Sequence, residues 1–284
     1  MSTETVPFID THQHLWDLTK FQLPWLKDVP ALNRSYLLAD YLAESKGCNV
    51  GKTIYMEVDV QESQQLEEAR ALLKMADDPQ TPIEGVIASG RPESEDFPKY
   101  LDQIAGHKKL KGIRRVLHVV PDETSQSPLF AENVRRLKQY GLTYDICVAA
   151  RQMPLAIELT RKCPEASLVL DHCGVPDVKG RALDPWRGHI QQIASFPNVV
   201  CKVSGVIAYA DPTRPFADQL RPFVEHVLEC FGWDRVVWGS DWPVCKLTAS
   251  YRQWVDAALE ITKNARPADR AKLFSKNAER VYRV

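Results

Sequence analysis

Short apolar runs alternate with longer amphipathic segments along most of the chain. Eight of the apolar runs have the length of buried β-strands. We predict strands at Phe8–Asp10, Thr53–Val58, Ile83–Ala88, Gly112–Val116, Thr143–Ile146, Ser167–Leu170, Val199–Val203 and Val236–Trp238. Every strand except the first is followed by a segment with a helical pattern.

The segments between the strands carry apolar residues at helical spacing. In the first of them, Leu66, Ala69 and Leu73 would share one face, with charged residues between them. Gly141 is typical of a helix end, and Pro154 is typical of a first helical turn. We predict helices over residues 63–76, 97–104, 131–140, 153–163, 185–196, 216–231, 250–262 and 268–282.

The alternation predicts the fold class. Strands that alternate with helices form parallel βα units, and eight of them fit a (β/α)8 barrel, which typically needs about 250 residues. The competing fold is a doubly wound open sheet, which normally has a glycine-rich phosphate turn after its first strand. Here Thr11-His12-Gln13-His14 occupies that place. We therefore predict an α/β protein with a single TIM-barrel domain over residues 1–284.

Composition argues against nucleic acids and membranes as partners. The 36 Lys and Arg residues nearly cancel the 37 Asp and Glu residues, so charge gives no general reason to bind nucleic acid or an anionic membrane. The polar start, Met1 to Thr5, lacks an export signal, and no run approaches the roughly 20 apolar residues of a membrane span. Seven scattered cysteines without a Cys-x-x-Cys pair favour reduced thiols and a cytoplasmic location. A monomer and a homo-oligomer are both compatible with the sequence.

The first predicted strand ends in a histidine pair. His12 and His14 are two residues apart, so in a strand both imidazoles point to the same face. Imidazole is a common ligand of zinc and similar divalent metals. In a TIM barrel the chemistry lies at the carboxyl ends of the strands. Further polar side chains fall at predicted strand ends, namely Glu57, Arg114, His118, His172, Lys202 and Asp241.

Each candidate also has a purely structural interpretation. His172 could be a core histidine that bonds backbone carbonyls, Asp241 could cap a turn, and Arg114 could form an ordinary ion pair. Glu57 is as readily a buried partner of Lys or Arg as a functional carboxylate. Lys202 could be a hydrogen-bonded residue of the barrel interior.

Several motifs together resemble the amidohydrolase superfamily, in particular its amidohydrolase-2 type and the sugar-lactonase branch of that type. The resemblance runs from about Phe8 to the C-terminus. Its motifs are Ile9-Asp10-Thr11-His12-Gln13-His14-Leu15-Trp16, Pro24-Trp25-Leu26, Gly112-Ile113-Arg114, Leu170-Asp171-His172-Cys173-Gly174, Lys202-Val203-Ser204-Gly205 and Gly239-Ser240-Asp241-Trp242-Pro243.

The resemblance implies a role for each matching residue. His12, His14 and Asp241 would bind a single divalent metal, zinc first among them, or the histidines would contact the substrate carbonyl in an enzyme without metal. His172 would help polarise that carbonyl, and Asp241 would be the general base. Arg114 would recognise substrate oxygens. Arg114 and Arg115 stand where a carbamylated lysine would hold a second metal, which argues against a binuclear centre.

The resemblance also implies the substrate class. The expected reaction is the opening of a sugar-acid lactone, such as fuconolactone or rhamnonolactone, by attack of an activated water. Glu57, Lys202 and His118 would contact the substrate. Trp16 and Trp25 would stack on the sugar while their N–H groups bond its hydroxyls, or would simply pack in the core. The alternative is a decarboxylase or hydratase of the same superfamily that acts on a small carboxylic acid.

Overall fold

The computed structural model describes residues 7–284 and contains all eight predicted strands. The first strand continues to Gln13, three residues beyond its predicted end, because Gln13 still pairs with Tyr55 of the second strand. The strands are β1 (Phe8–Gln13), β2 (Val50–Met56), β3 (Ile83–Ser89), β4 (Leu110–Val116), β5 (Thr143–Cys147), β6 (Ser167–Leu170), β7 (Val199–Val203) and β8 (Val236–Trp238).

The eight strands form one parallel sheet in which each strand pairs with the next along the chain. The last strand returns to the first just beyond its end. There the Asp241 N–H donates to the His12 carbonyl, and the His14 N–H donates to the Trp242 carbonyl, both at 2.8 Å. The sheet is therefore a nearly closed barrel. This confirms the TIM-barrel prediction and excludes the open, doubly wound sheet.

Helices follow the strands on the outside of the barrel. Most lie close to their predicted positions. They are α1 (Leu38–Ser45), α2 (Gln65–Ala76), α3 (Phe97–Asp102), α4 (Pro128–Arg136), α5 (Met153–Lys162), α6 (Trp186–Ala194), α7 (Phe216–Phe231), α8 (Tyr251–Ile261), α9 (Pro267–Ala271) and α10 (Asn277–Tyr282). A π-helical turn at Lys272–Lys276 joins the last two.

Two helices differ from the sequence prediction. Helix α4 begins at Pro128, earlier than predicted, because the Ser127 hydroxyl caps it by accepting from the Phe130 N–H at 3.1 Å. Helix α1 was not predicted at all. Long-range contacts hold it, since the buried Tyr41 hydroxyl donates to Asp10 of β1 at 2.9 Å.

All seven cysteines lie in the described part of the chain, and all are free thiols. Within residues 7–284, no helix combines the length and the apolar character needed to cross a membrane. The first six residues, where the sequence lacks an export signal, lie outside the described residues.

Candidate active site

The barrel seam between β8 and β1 brings the histidine pair to Asp241. Asp10 fixes this seam, because its Oδ1 accepts from the backbone N–H groups of His12 at 3.1 Å and Ser240 at 2.7 Å. The next residue, Asp241, has a left-handed backbone with φ of 57°. Such conformations are uncommon outside glycine and concentrate at functional sites. The first and last strands thus present three potential metal ligands to one point.

Three ligand atoms form a nearly equilateral triangle. The Nε2 atoms of His12 and His14 are 3.2 Å apart, and the Asp241 Oδ1 lies 3.4 Å and 3.2 Å from them, respectively. Tetrahedral zinc with ligands at about 2.0–2.1 Å requires separations of about 3.3 Å between ligands. The triangle therefore has the dimensions of one face of a zinc site.

A hydrogen bond orients the His14 imidazole, and a buried carboxylate faces the outer nitrogen of His12. The Nδ1 of His14 donates to the Met56 carbonyl at 3.0 Å, which leaves the Nε2 lone pair facing Asp241. The Nδ1 of His12 lies 3.6 Å from the Asp171 carboxylate, an arrangement typical of metal-binding histidines. Burial strongly lowers the pKa of His12, and the charge of Lys202 adds to this effect. His12 is therefore neutral at pH 7 and can act as a ligand.

The second candidate for substrate activation, His172, lies beside this triangle. Its ring centroid is 4.6 Å from that of His12, and its Nδ1 is 2.9 Å from the Ser204 hydroxyl. His172 and Cys173 both have a left-handed backbone, with φ of 54° at each. Gly205 leaves the space that the ring needs, because a Cβ there would lie 2.4 Å from the His172 Nδ1 and 2.8 Å from the Asp241 Oδ2.

Arg114 joins the site from β4. Its Nε donates to the Glu57 carboxylate at 2.6 Å, and its Nη2 donates to the Glu57 carbonyl at 2.8 Å. Its Nη1 lies 3.3 Å from the His12 Nε2 and 3.6 Å from the Asp171 carboxylate. Glu57 is buried and therefore fixes the guanidinium in place. Burial would raise the pKa of Glu57, but the charge of Arg114 lowers it.

Lys202 forms a second buried ion-pair group. Its Nζ lies 2.6 Å from the Asp145 carboxylate and 2.9 Å from the Asp171 carboxylate, and all three side chains are inaccessible to solvent. Burial opposes the charge on Lys202, but the two carboxylates raise its pKa well above the usual value. Asp171 thus links the Lys202 group to Arg114 and to His12.

The buried charges do not balance. Two cations face four carboxylates in these contacts, which are Arg114 and Lys202 against Glu57, Asp145, Asp171 and Asp241. When all six are ionised, two negative charges remain without compensation. Buried charges need partners, and a divalent cation at the triangle would supply the missing charge. The charge balance and the ligand geometry therefore agree.

The Asp241 carboxylate is ionised at neutral pH. Burial would raise its pKa, but His172, His14 and His12 overcome that effect and lower it to about 2. Burial alone would instead bring the pKa of a general base closer to the working pH. Neighbouring imidazoles, which the sequence could not place, decide the direction of the shift.

A cavity of about 610 Å³ opens above these groups at the carboxyl ends of the strands. Of the predicted site residues, seven line it, namely His14, Trp16, Trp25, Arg114, His118, His172 and Asp241. His12, Glu57 and Lys202 do not line this cavity; they are fully buried beneath it. The structure therefore brings the predicted residues together in two layers, one that faces the cavity and one that supports it.

The tryptophan N–H groups already have backbone partners. The Trp16 Nε1 donates to the Arg34 carbonyl at 2.6 Å, and the Trp25 Nε1 donates to the Val58 carbonyl at 2.8 Å. The two rings pack edge to face with centroids 5.7 Å apart. Backbone carbonyls therefore engage both N–H groups in this arrangement, and contact of these two tryptophans with a sugar stays a prediction.

Comparison with known proteins agrees with this geometry. The family model described as Amidohydrolase matches residues 9–284. This protein belongs to the amidohydrolase family. It is 30% identical over 298 residues to an L-fucono-1,5-lactonase of Burkholderia multivorans, with 96% of this chain and 95% of the relative covered.

Solved structures of amidohydrolases have a fold similar to that of this chain. A crystal structure of an amidohydrolase from Burkholderia multivorans with bound zinc has a TM-score of 0.88 at 28% identity, and covers 98% of this chain and 99% of its own. The 5-carboxyvanillate decarboxylase of Sphingomonas paucimobilis has a TM-score of 0.68 at 14% identity, with 98% and 99% coverage. At that identity the second likeness shows the fold alone.

Two cavity-lining carboxylates of this amidohydrolase were not among the predicted site residues. Asp59 lies three residues beyond β2, and its Oδ1 accepts from Arg91 at 3.3 Å. Asp28 ends a short 3₁₀ helix in the segment after β1. The position just after β2 already identifies Asp59 as a polar strand-end residue, although it has no role in the predicted site. No local pattern indicates Asp28, because the fold of a long connection brings it to the cavity.

Proposed function

We propose that this amidohydrolase is a lactonase that opens a sugar-acid lactone by hydrolysis. One observation carries the proposal, namely the convergence of His14, His172, Arg114 and Asp241 on a single cavity at the carboxyl ends of the barrel strands. Hydrolysis of a cyclic ester needs a base for water, donors for the carbonyl oxygen and a proton for the departing ring oxygen. This group of residues can supply each of them.

Asp241 is the proposed general base. Its Oδ1 faces the histidine pair, and its Oδ2 lies on the side of Gly205. An ionised carboxylate takes a proton from water as the water oxygen bonds to the lactone carbonyl carbon. The bond from that carbon to the ring oxygen then breaks, and the proton passes from Asp241 to this oxygen. The product is the open hydroxy acid.

His172 and Arg114 are the proposed donors for the carbonyl oxygen as its negative charge develops. Ser204 and Glu57 already fix their side chains, so little reorganisation is needed during the reaction. A fixed donor of this kind is typically worth about 3–4 kcal/mol of barrier lowering. Glu57 and Lys202 act as positioning residues in this proposal, because their charged groups are engaged beneath the cavity.

His12, His14 and Asp241 would hold a divalent metal, and zinc suits their geometry and donor set. When bound there, the metal would polarise the carbonyl as a Lewis acid and lower the pKa of water toward about 7. Arg114 lies 3.3 Å from the same His12 nitrogen and adds positive charge at this point.

The free thiols further favour action in a reducing compartment, and we propose the cytoplasm.

The experiment is a panel of aldonolactones assayed by acid release with a pH indicator. We expect rapid opening of at least one six-carbon lactone by the wild type. Asp241→Asn should lower turnover by orders of magnitude with little change in fold, whereas the exposed Asp218→Asn should behave as the wild type. Release of carbon dioxide from an aromatic acid, without opening of any lactone, would support the decarboxylase alternative and end this proposal.

A further inference from the structure

The walls of the cavity differ in chemistry from its floor. His14, Arg114, His172 and Asp241 make the floor polar. Aliphatic side chains from several loops line the walls, among them Leu32, Val58, Val116, Val175 and Val244. A polyhydroxylated ligand would need hydrogen-bond partners along these walls, since a hydroxyl that loses water without a new partner costs free energy.

The aromatic part of the wall is apolar as well. Because backbone carbonyls occupy the N–H groups of Trp16 and Trp25, only the hydrocarbon surfaces of these rings face a ligand. Polar side chains on the walls within residues 7–284 are Asp28, Asp59, His118 and Tyr209. Asp59 is already paired with Arg91. The cavity therefore offers many more apolar contacts than a sugar ring could use.

The mouth of the cavity is open to solvent and largely apolar, although Tyr209 also carries a hydroxyl there. Val119, Tyr209 and Leu247 are 56%, 43% and 40% exposed, and all three line the cavity. They come from different connections, after β4, β7 and β8. Large apolar side chains gathered around one opening are typical of a ligand-binding or interaction surface. They line the same cavity as His14, His172 and Asp241, which favours contact with the substrate.

We propose that the lactone opened here carries an apolar substituent, larger than a methyl group, that extends from the ring to the Val119–Tyr209–Leu247 mouth. The inference rests on the proposed lactonase function and extends its substrate class: unsubstituted lactones are opened, and an added apolar substituent raises kcat/KM above theirs. The ring would lie on the polar floor, with its carbonyl at His172 and Arg114. The substituent would lie along the apolar wall, where it removes both its own surface and that of the mouth from water.

The cavity volume agrees with such a substrate. At about 610 Å³ it falls in the range of pockets for drug-sized ligands, roughly 300–1,000 Å³. A simple sugar lactone has only about a dozen non-hydrogen atoms and would leave much of a pocket of that class unfilled. An alkyl or aryl group on the ring carbon next to the ring oxygen would fill the remainder.

The test uses a matched series of six-membered lactones. δ-Valerolactone and its methyl, propyl and pentyl derivatives share one ring and differ only in the alkyl group. Each rate is divided by that lactone's rate of hydroxide-catalysed opening. We expect kcat/KM to rise by up to about fourfold for each methylene that leaves water. Most of the rise in kcat/KM should come from a lower KM, because the substituent makes the same contact in the ground state and the transition state.

A matched pair of variants locates the contact. Leu247→Ser should lower kcat/KM severalfold for the pentyl lactone and leave δ-valerolactone unchanged. Leu42→Ser is the control, because Leu42 has a similar exposure of 45% but does not line the cavity. A flat or falling alkyl series, while aldonolactones are opened efficiently, would overturn this inference and leave the lactonase proposal intact. Failure to open any lactone would overturn both.

Discussion

Replacement of Gly205 by Ala tests whether the active-site geometry requires a residue without a Cβ atom at this position. Gly205 has φ of 65° and ψ of −22° and lies directly behind His172 and Asp241. A Cβ at this position would approach the His172 Nδ1 to 2.4 Å and the Asp241 Oδ2 to 2.8 Å. Optimal contacts between heavy atoms are about 3.5–4.0 Å, so both catalytic side chains must move by about 1 Å.

The expected magnitude has two parts. A left-handed backbone costs an L-residue about 1–2 kcal/mol. Overpacking of a tight site adds typically 1–3 kcal/mol. We therefore expect Gly205→Ala to lower the free energy of unfolding by about 2–5 kcal/mol. A displacement of about 1 Å in catalytic groups costs on the order of 100-fold in rate, so kcat/KM should fall by at least that factor.

The assay combines urea unfolding with lactone opening by the purified, folded variant. Gly141→Ala is the matched control, because Gly141 has φ of 64° and ψ of 28° and its Cβ would meet nothing closer than 3.6 Å. The control should lose only the backbone contribution of about 1–2 kcal/mol and retain its kcat/KM. The difference between the two variants isolates the effect of the clash.

Near-normal activity of a folded Gly205→Ala protein would refute this reasoning. It would mean that His172 and Asp241 tolerate displacement, so that their observed geometry does not decide the rate. Equal losses of activity in Gly205→Ala and Gly141→Ala would refute it as well, because the clash with the two catalytic side chains is absent from the control.

Three further predictions concern buried ionisable groups and the metal that some of them would hold. Removal of divalent metal by a chelator should lower lactone opening and the melting temperature together, and zinc should restore both, since it cancels the buried negative charge; unchanged values after verified removal would contradict this. Lys202→Met should lower the free energy of unfolding by about 3–5 kcal/mol because Asp145 and Asp171 lose their cation, and the added change Asp145→Asn should recover part of it in urea titrations. Burial raises the pKa of Glu68 from 4.5 to about 8, and the charge of Glu57 adds to this effect. A raised carboxyl pKa means that the folded state binds more protons than the unfolded state. The contribution of Glu68 to the free energy of unfolding is therefore complete below about pH 4.5 and is lost as the pH rises through 8. In that window the free energy of unfolding falls by up to about 1.4 kcal/mol per pH unit. Glu68→Gln should flatten the stability profile in that window, and an unchanged profile would show that Glu68 does not titrate there.

The sequence alone was sufficient for the barrel and for the identity of its floor residues. Strand prediction succeeded because parallel strands buried on both faces are nearly continuous apolar runs, as in Val199–Val203 and Val236–Trp238. The histidine pair was informative because the period of a strand forces His12 and His14 to one face. Helix α1 was missed because its stability comes from distant partners such as Asp10 rather than from a local pattern.

Tertiary structure alone decided which charged residues face the cavity and which support it. Glu57 and Lys202 lie at strand ends like Arg114, yet only Arg114 lines the cavity. Glu57 pairs with Arg114 from beneath, and Lys202 pairs with Asp145. The tertiary structure also decided the partner of Trp25, whose N–H donates to the carbonyl of Val58, 33 residues away. Periodicity determines which face of a strand a side chain occupies, whereas partners and burial depend on which distant segments the closed barrel brings together.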